Sequence, residues 1–376
     1  MNLLTAEPSN FVYHAWLSSA SLPPKVISVL LEEYETPENI WHDFTSLQNS
    51  LEKISPSGLK TLKQNISKEW LDKTELLLRH HKISAFTITD QAYPDSLLHL
   101  QDPPAILFYQ GDLQCIAKKN LAIVGSRAAS YDGQKAAERI ACDLSHNGIG
   151  VISGMAGGID TASHTGCLNG GSQTIAVTGC GLDTVYPSMN TKLRDRILEN
   201  GGLLLSEYAP GEKPVGWHFP FRNRIITGLA RALIIIEAKI RSGTMTSVQH
   251  ALDQGKDIFV YPGDPISPYF EGNHQLLREG AIYFTTANDI MEDLGWLDNP
   301  GIIGQNSGCS GRSFPLSPEE AAVFSALKPG KLNFEHIAEK SRLSPALLMS
   351  TLTMLQIKGL IEALPGKQYQ LIETDI

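Results

Sequence analysis

Residues 121–127 read LAIVGSR and residues 150–160 read GVISGMAGGID, and these two stretches decide the fold. In each, a short run of aliphatic residues stops at glycines and small polar residues. Such a run is too short for a helix and lacks polar alternation, so it is typical of a strand buried on both faces of a parallel sheet. The glycine-rich segments that follow predict loops at the carboxyl ends of these strands.

The same alternation of short apolar runs and helical segments extends over residues 116–296. We therefore predict an α/β domain there, a Rossmann-like and mostly parallel sheet covered by helices on both faces. The further runs that predict its strands are Thr174–Thr178, Leu203–Ser206, Ala232–Ile236, Ile258–Tyr261 and Ile282–Phe284.

The flanking regions have different patterns. Residues 1–115 predict a small helical domain, similar to SAM or helix-hairpin-helix modules, and a bridging segment with an edge strand at Ile106–Tyr109. Residues 297–316 are rich in Gly, Ser and Asn and predict a flexible linker. Residues 317–376 predict three helices and a hairpin, which is the composition of a winged helix-turn-helix domain.

The overall composition excludes several classes of protein. Of 376 residues, 42% are hydrophobic and 19% are charged, as in a soluble globular protein. No apolar run reaches the length of a membrane span, and the first residues do not resemble a secretion signal. The five cysteines are an odd number without close pairing, which favours reduced thiols in the cytoplasm. A net charge of −9 argues against a nonspecific nucleic-acid coat protein.

Small residues follow the predicted strands where ligands bind in open parallel sheets. Loops and helix N-termini at this edge present backbone N–H groups to anions. The chain lacks a nucleoside-triphosphatase loop and a dinucleotide fingerprint, so we expect no cofactor and no metal. Backbone phosphates of a nucleic acid are the favoured anion. The small residues concerned are Gly125, Ser126, Ser153, Gly154, Ser242 and Gly243.

Basic residues accompany these loops. Arg127 ends the first loop, and residues 219–224 read FPFRNR, with Arg222, Asn223 and Arg224 beside two aromatic residues. Arginines interleaved with aromatic residues suit phosphate neutralisation and base stacking in single-stranded binding. In the alternative interpretation, the phenylalanines are core anchors and one arginine pairs with Glu207 or Glu237. Lys192, Lys213 and Arg241 either join the rim of the site or are simply solvated.

At these residues the sequence resembles the DprA/Smf (DNA processing protein A) family. The resemblance implies a single-stranded DNA-binding protein of natural transformation that protects incoming DNA, loads the recombinase RecA and forms homodimers. It implies that Arg127 contacts DNA. A family lysine is replaced here by Ser188, so Lys192 is a possible substitute. The motifs that carry the resemblance are residues 124–127, 153–160, 181–183, 186–187, 206–208, 219–226, 237–238, 242–244, 261–263 and 280–281.

Two alternative functions stay open. The core also resembles nucleotide phosphoribohydrolases, but Ser247 stands where their catalytic glutamate would be. A winged-helix regulator of duplex DNA is the other alternative, although duplex readers usually bring Lys or Arg to phosphates. The third helix of that domain instead carries neutral residues at the positions predicted to be exposed, namely Met349, Ser350, Thr351, Thr353 and Gln356.

Overall fold

A computed structural model of the chain describes residues 11–44, 54–297, 318–327, 331–341, 343–357, 360–364 and 368–371. The chain divides into two compact units, Met1–Asn299 and Pro300–Ile376. The linker predicted over 297–316 lies, apart from residue 297, outside the described residues.

Five short helices form the start of the first unit in its described residues. The apolar pattern of residues 58–80 predicts one helix, but the structure has two: α4 ends at Gln64, and Ser67 caps α5 by accepting a hydrogen bond from the Trp70 N–H at 3.2 Å. The helix α3 was not predicted, although Thr36 caps it and a proline follows. The five helices are α1 (Phe11–Ser19), α2 (Pro24–Tyr34), α3 (Pro37–Asp43), α4 (Pro56–Gln64) and α5 (Lys68–His81).

A mostly parallel sheet forms the centre of this unit and confirms the predicted fold class. In the described residues its strand order is β1-β2-β6-β5-β4-β3-β7-β8-β9. Strand β2 is antiparallel to both of its neighbours, β1 and β6, and β3 to β9 are mutually parallel. The strands are β1 (Ser84–Thr87), β2 (Ile106–Gly111), β3 (Asn120–Val124), β4 (Gly150–Ser153), β5 (Thr174–Val177), β6 (Leu203–Ser206), β7 (Ala232–Ile235), β8 (Asp257–Val260) and β9 (Ile282–Tyr283).

Helices alternate with the parallel strands and cover both faces of the sheet. All residues of the central strands β3, β4 and β7 are buried, which explains why their sequences lack polar alternation. The helices after α5 in the first unit are α6 (Asp95–Leu98), α7 (Tyr131–His146), α8 (Ile159–Asn169), α9 (Thr191–Glu199), α10 (His218–Leu229), α11 (Gly243–Asp253), α12 (Glu271–Arg278) and α13 (Ala287–Asp293).

The N-terminal helices α1 to α5 share a hydrophobic core with the sheet. Trp16 and Leu30 belong to the same buried cluster as Phe108 and Leu204 of the sheet. Residues Ile106–Tyr109 lie in a strand, β2, as predicted. The predicted place at the edge of the sheet is wrong, because β2 pairs with both β1 and β6. The boundary predicted near residue 115 falls inside the first compact unit, between β2 and β3.

The second unit contains the winged helix. Its sheet has the order β10-β12-β11, and Val323, Ile337, Leu348 and Leu352 form its buried core. Thr351 was predicted to be exposed but is buried, and its hydroxyl donates to the Leu347 carbonyl at 2.7 Å. The elements are α14 (Pro318–Leu327), β10 (Leu332–Asn333), α15 (Phe334–Ser341), α16 (Pro345–Ile357), β11 (Ile361–Leu364) and β12 (Gln368–Leu371).

A membrane span needs about 20 consecutive apolar residues. Within the described ranges, no helix combines the length and the apolar character to cross a membrane.

Candidate nucleic-acid interface

A cleft of about 750 Å³ opens at the carboxyl ends of β3 and β7. These strands are neighbours, and the chain proceeds outward from them in opposite directions along the sheet. This is the topological switch point, where ligands bind in open α/β sheets. Of the residues predicted for the site, the structure places Gly125, Ser126, Arg127, Arg222, Asn223, Ser242 and Gly243 in the lining of the cleft.

Arg127 extends from a well-supported loop. The Ser126 N–H donates to the Glu237 carbonyl at 2.8 Å, and the Ile159 N–H donates to the Ser126 carbonyl at 3.2 Å. The Arg127 side chain is exposed, with its guanidinium carbon 4.9 Å from the centre of the Phe219 ring. The backbone therefore fixes the start of this side chain, and the ring supports its charged end.

The loop after β4 must pass very close to Arg127. Gly158 has φ +74°, and a Cβ atom there would lie 2.3 Å from the Ser126 carbonyl oxygen. Only glycine meets both requirements without strain. This close approach holds the loops after β3 and β4 side by side at the edge of the cleft.

Arg222 is a buried cation in the cleft lining, with 2% of its surface exposed. Its Nη1 donates to the Gly154 carbonyl at 2.9 Å. Burial lowers the pKa of Arg222 to about 10, and the nearby Asp160 opposes that shift. Burial raises the pKa of Asp160, and Arg222 is the largest of the opposing influences. At neutral pH Arg222 therefore keeps its charge and makes the interior of the site positive.

Ser153 and Gly154 lie beneath the cleft and are absent from its lining. Both are buried, and the Ser153 hydroxyl donates to the Ile123 carbonyl at 2.7 Å. A Cβ atom at Gly154 would come within 2.5 Å of Arg222 Nη2. These two residues therefore shape the space that Arg222 occupies.

Arg224 is not brought into the cleft. Its Nη2 lies 2.7 Å from Glu207 Oε1, its Nε donates to the Asp102 carbonyl at 2.9 Å, and its guanidinium carbon is 3.9 Å from the Phe221 ring centre. The contact between Arg224 and Glu207 is the one that the alternative interpretation expected for one arginine of the cluster. Lys192 is likewise outside the cleft lining, exposed on the first turn of α9.

The cluster at 219–224 belongs to a helix that begins earlier than its sequence suggested. The apolar pattern predicts a helix over Arg224–Leu229, whereas α10 starts at His218. Pro220 fits in its first turn, because the N–H groups there have no partner within the helix. The helical spacing separates Arg222 from Arg224 and gives them different surroundings.

Two further cations line the cleft beyond β7. Lys239 and Arg241 are exposed, and the Lys239 Nζ lies 5.1 Å from the centre of the Tyr269 ring. Lys239 was not predicted, although its position just beyond a buried strand was a usable signal. The helix α11 then starts at Gly243, so its positive end faces the same cleft.

The lining contains little that suggests catalysis or metal binding. Ser247 lies in the lining, and Asp160 is its carboxylate among the described residues. His164 is buried with its Nδ1 2.8 Å from the Thr174 hydroxyl, and burial lowers its pKa to about 3. In the parts of the chain that the structure describes, no three His, Cys, Asp or Glu residues are grouped to hold a metal ion.

Comparison with known families agrees with this geometry. The model of the family described as DNA recombination-mediator protein A matches residues 84–295, more than half of the chain. The chain belongs to the DprA/Smf family. The family's winged-helix model matches residues 311–367, so the second unit also has a family counterpart.

Individual relatives show how far the similarity extends. The chain is 43% identical over 223 residues to the DNA processing protein DprA of Streptococcus pneumoniae, covering 59% of this chain and 78% of that protein. A crystal structure of DprA from the same species covers 77% of this chain and 99% of its own, with a TM-score of 0.64 and 35% identity. A Helicobacter pylori DprA structure described for its single-stranded DNA-binding mode covers 57% of this chain and 96% of its own, with a TM-score of 0.52 and 30% identity.

Proposed function

We propose that this protein binds single-stranded DNA in the cleft at the switch point. The observation that carries the proposal is the convergence there of the exposed Arg127, the buried Arg222 and the N-terminus of α11. Phosphates are the anions that such donors bind, and the Helicobacter pylori relative is described as binding single-stranded DNA. Family membership supports the same ligand.

The geometry favours an unpaired strand over a duplex. The cleft volume of about 750 Å³ lies in the range of pockets that enclose a small molecule. A nucleotide enters such a space only when it is separated from its pairing partner. The Arg127 guanidinium, supported by Phe219, presents a flat cationic surface on which a base can stack.

The biological role follows from the family resemblance. We propose that the protein acts in the cytoplasm during natural transformation, where it protects incoming single strands and loads RecA on them, and that it works as a homodimer. Each of these has its own measurement: nuclease protection of a bound oligonucleotide, the rate of RecA assembly on that oligonucleotide, and the molar mass in solution by light scattering.

We propose binding without catalysis. The position that a phosphoribohydrolase fills with a glutamate is Ser247, and a hydroxyl does not supply the proton transfer that glycosidic cleavage needs. Incubation with nucleoside monophosphates should release no free base above the buffer control. Release at an enzyme-like rate that Arg127→Ala abolishes would contradict this part of the proposal.

The decisive experiment is a titration of single-stranded and duplex oligonucleotides of the same sequence at two stated salt concentrations. We expect the single strand to bind at least about tenfold more tightly, a difference of about 1.4 kcal/mol. Both affinities should fall as salt rises, since phosphate contacts release counterions. Equal affinity for the two forms, or tighter binding of the duplex, would contradict the proposed function.

A further inference from the structure

The first turn of α11 faces the cleft without a side-chain cap. The N-cap residue is Ser242, whose hydroxyl donates to the Lys239 carbonyl at 2.9 Å instead of accepting from the helix. The N–H groups of a first helical turn have no partners inside the helix. Together with the helix dipole, they make this end of α11 suitable for an anion.

A second observation points to a ligand in the same cleft. Arg222 is 2% exposed and lines the same cleft, yet its Nε–H has no hydrogen-bond partner among the described residues. A buried donor without a partner is costly, and native proteins rarely tolerate one. Its Nη1 is already committed to the Gly154 carbonyl, so the Nε–H is left as an unsatisfied donor of a cation that lines the cleft.

The charge in the cleft exceeds what one internal phosphate of a DNA strand neutralises. The described lining contains the cations Arg127, Arg222, Lys239 and Arg241 and the carboxylate Asp160. An internal phosphodiester carries a single negative charge. A terminal phosphate monoester carries about −1.5 to −2 at neutral pH and offers three acceptor oxygens.

We propose that the end of the cleft at α11 is a subsite for the terminal phosphate monoester of a nucleotide. This inference rests on the proposed function and goes beyond it, because binding a strand through its interior requires phosphodiesters only. The monoester has two possible sources, the phosphorylated end of a DNA strand and a free nucleoside monophosphate. Pro220, which lines the cleft and is partly exposed, provides apolar surface for the attached sugar or base.

Gly243 allows a matched pair of variants. It is the first residue of α11, and among the described residues no atom outside its chain neighbours and its own helix backbone lies within 4 Å of the position that a Cβ would take. Proline is favoured at this first helical position, and Ser242 before it is extended at φ −140° and ψ 159°, as a residue before proline requires. Gly243→Pro therefore removes one N–H donor from the subsite, whereas Gly243→Ala keeps it.

The test compares decathymidylate with a 5′-phosphate, a 3′-phosphate or neither, by fluorescence titration. The protein should bind one of the phosphorylated strands about fivefold more tightly than the unphosphorylated one, the size of a favourable interaction between an anion and a helix terminus. Gly243→Ala should keep this ratio. Gly243→Pro should reduce this ratio toward one, whatever its effect on the unphosphorylated strand, because the ratio compares two strands on the same variant.

Thymidine monophosphate, thymidine and inorganic phosphate then serve as competitors, to distinguish the sources. Displacement by the monophosphate and not by thymidine supports a site that also takes free nucleotides. If the monophosphate does not displace the strand, a preference for a phosphorylated strand indicates that the subsite binds the phosphorylated end of DNA. Equal binding of all three strands without displacement by the monophosphate, or a preference that survives Gly243→Pro in a variant with an unchanged melting temperature, overturns the inference and leaves single-stranded binding intact. If no strand binds, the proposed function is overturned instead. Direct titration with thymidine monophosphate then tests the subsite by itself.

Discussion

The guanidinium carbon of Arg127 lies 4.9 Å from the centre of the Phe219 ring, so this exposed cation of the cleft rests on an aromatic side chain of α10. A contact of this kind contributes about 0.5–1 kcal/mol at an exposed site. It also restricts a long side chain before any ligand arrives, which lowers the entropy lost on binding. The pair therefore joins Arg127, the proposed phosphate contact, to the helix that carries Arg222.

The first prediction concerns Arg127 itself. Arg127→Ala should weaken binding of single-stranded DNA and reduce the slope of log affinity against log salt by about 0.7, the contribution of one phosphate contact on a single strand. The measurement is a titration at four or more salt concentrations. An unchanged affinity and slope in a folded variant would show that Arg127 makes no phosphate contact.

Arg231→Ala is the matched control for this substitution. Arg231 is also exposed, but it directly precedes the amino end of β7 and pairs with Asp257 at 3.0 Å. The cleft lies at the carboxyl end of that strand. The control should therefore keep both the affinity and the salt slope, which separates a local contact from a general loss of positive charge.

The second prediction separates stability from binding within the arginine cluster. Arg224→Ala removes the partner of Glu207, whose side chain is only 13% exposed. Removal of one member of a buried ion pair costs about 3–5 kcal/mol in the free energy of unfolding. Urea denaturation should show this loss, and adding Glu207→Gln should recover part of it. Below the unfolding transition, DNA affinity should change by less than about 0.5 kcal/mol, as for substitutions away from an interface.

Arg222→Ala is expected to differ, since Arg222 lies in the cleft lining and holds the Gly154 carbonyl. It should lower both the free energy of unfolding and the affinity for single-stranded DNA. If Arg224→Ala lowers the affinity as much as Arg222→Ala does, the division between a supporting and a binding arginine is wrong.

The third prediction is a pH dependence of stability caused by His164. Burial lowers its pKa to about 3 in the folded protein, from an ordinary value of 6.5. Below pH 6.5 the unfolded chain binds a proton that the folded protein does not, so stability present above that pH is lost as pH falls. Between pH 7 and pH 5 the protein should lose about 2 kcal/mol more than His164→Gln in urea denaturation. Parallel losses in the two proteins would show that His164 titrates normally.

Much of the fold follows from local sequence. The apolar runs at β3, β4 and β7 are fully buried strands, and the small residues after β3 and β7 line the cleft as predicted. These features depend only on the burial of short segments and on the rule that ligands meet parallel sheets at their carboxyl ends. Neither needs information on which distant residues come into contact.

The arginine cluster shows where local sequence is insufficient. Arg222 and Arg224 are two positions apart, and only the tertiary structure places Glu207 and the Asp102 carbonyl beside the second of them. Lys239 was overlooked for a related reason. Its place in the cleft depends on the pairing of β7 with β3, which the local sequence does not show. A partner distant in sequence decides whether a cation is part of a site or part of the support beneath it.

The last prediction concerns the winged-helix unit. A chain that ends at Leu297 retains the cleft and the nine-stranded sheet, since all of their described residues belong to the compact unit Met1–Asn299. The third helix of the second unit, α16, exposes the neutral side chains of Met349, Ser350 and Gln356, which do not neutralise phosphates. We therefore expect the shortened chain to keep most of its single-stranded affinity and its stoichiometry.

Both chains should be titrated with the same oligonucleotide at two salt concentrations, so that a change in the number of phosphate contacts appears as a change in slope. Loss of a partner interaction or of weak duplex binding, with single-stranded affinity retained, is the expected effect of the truncation. A loss of single-stranded affinity greater than about tenfold, or 1.4 kcal/mol, would instead mean that the winged helix forms part of the DNA site. Melting curves of both chains exclude an unfolded first unit as the cause.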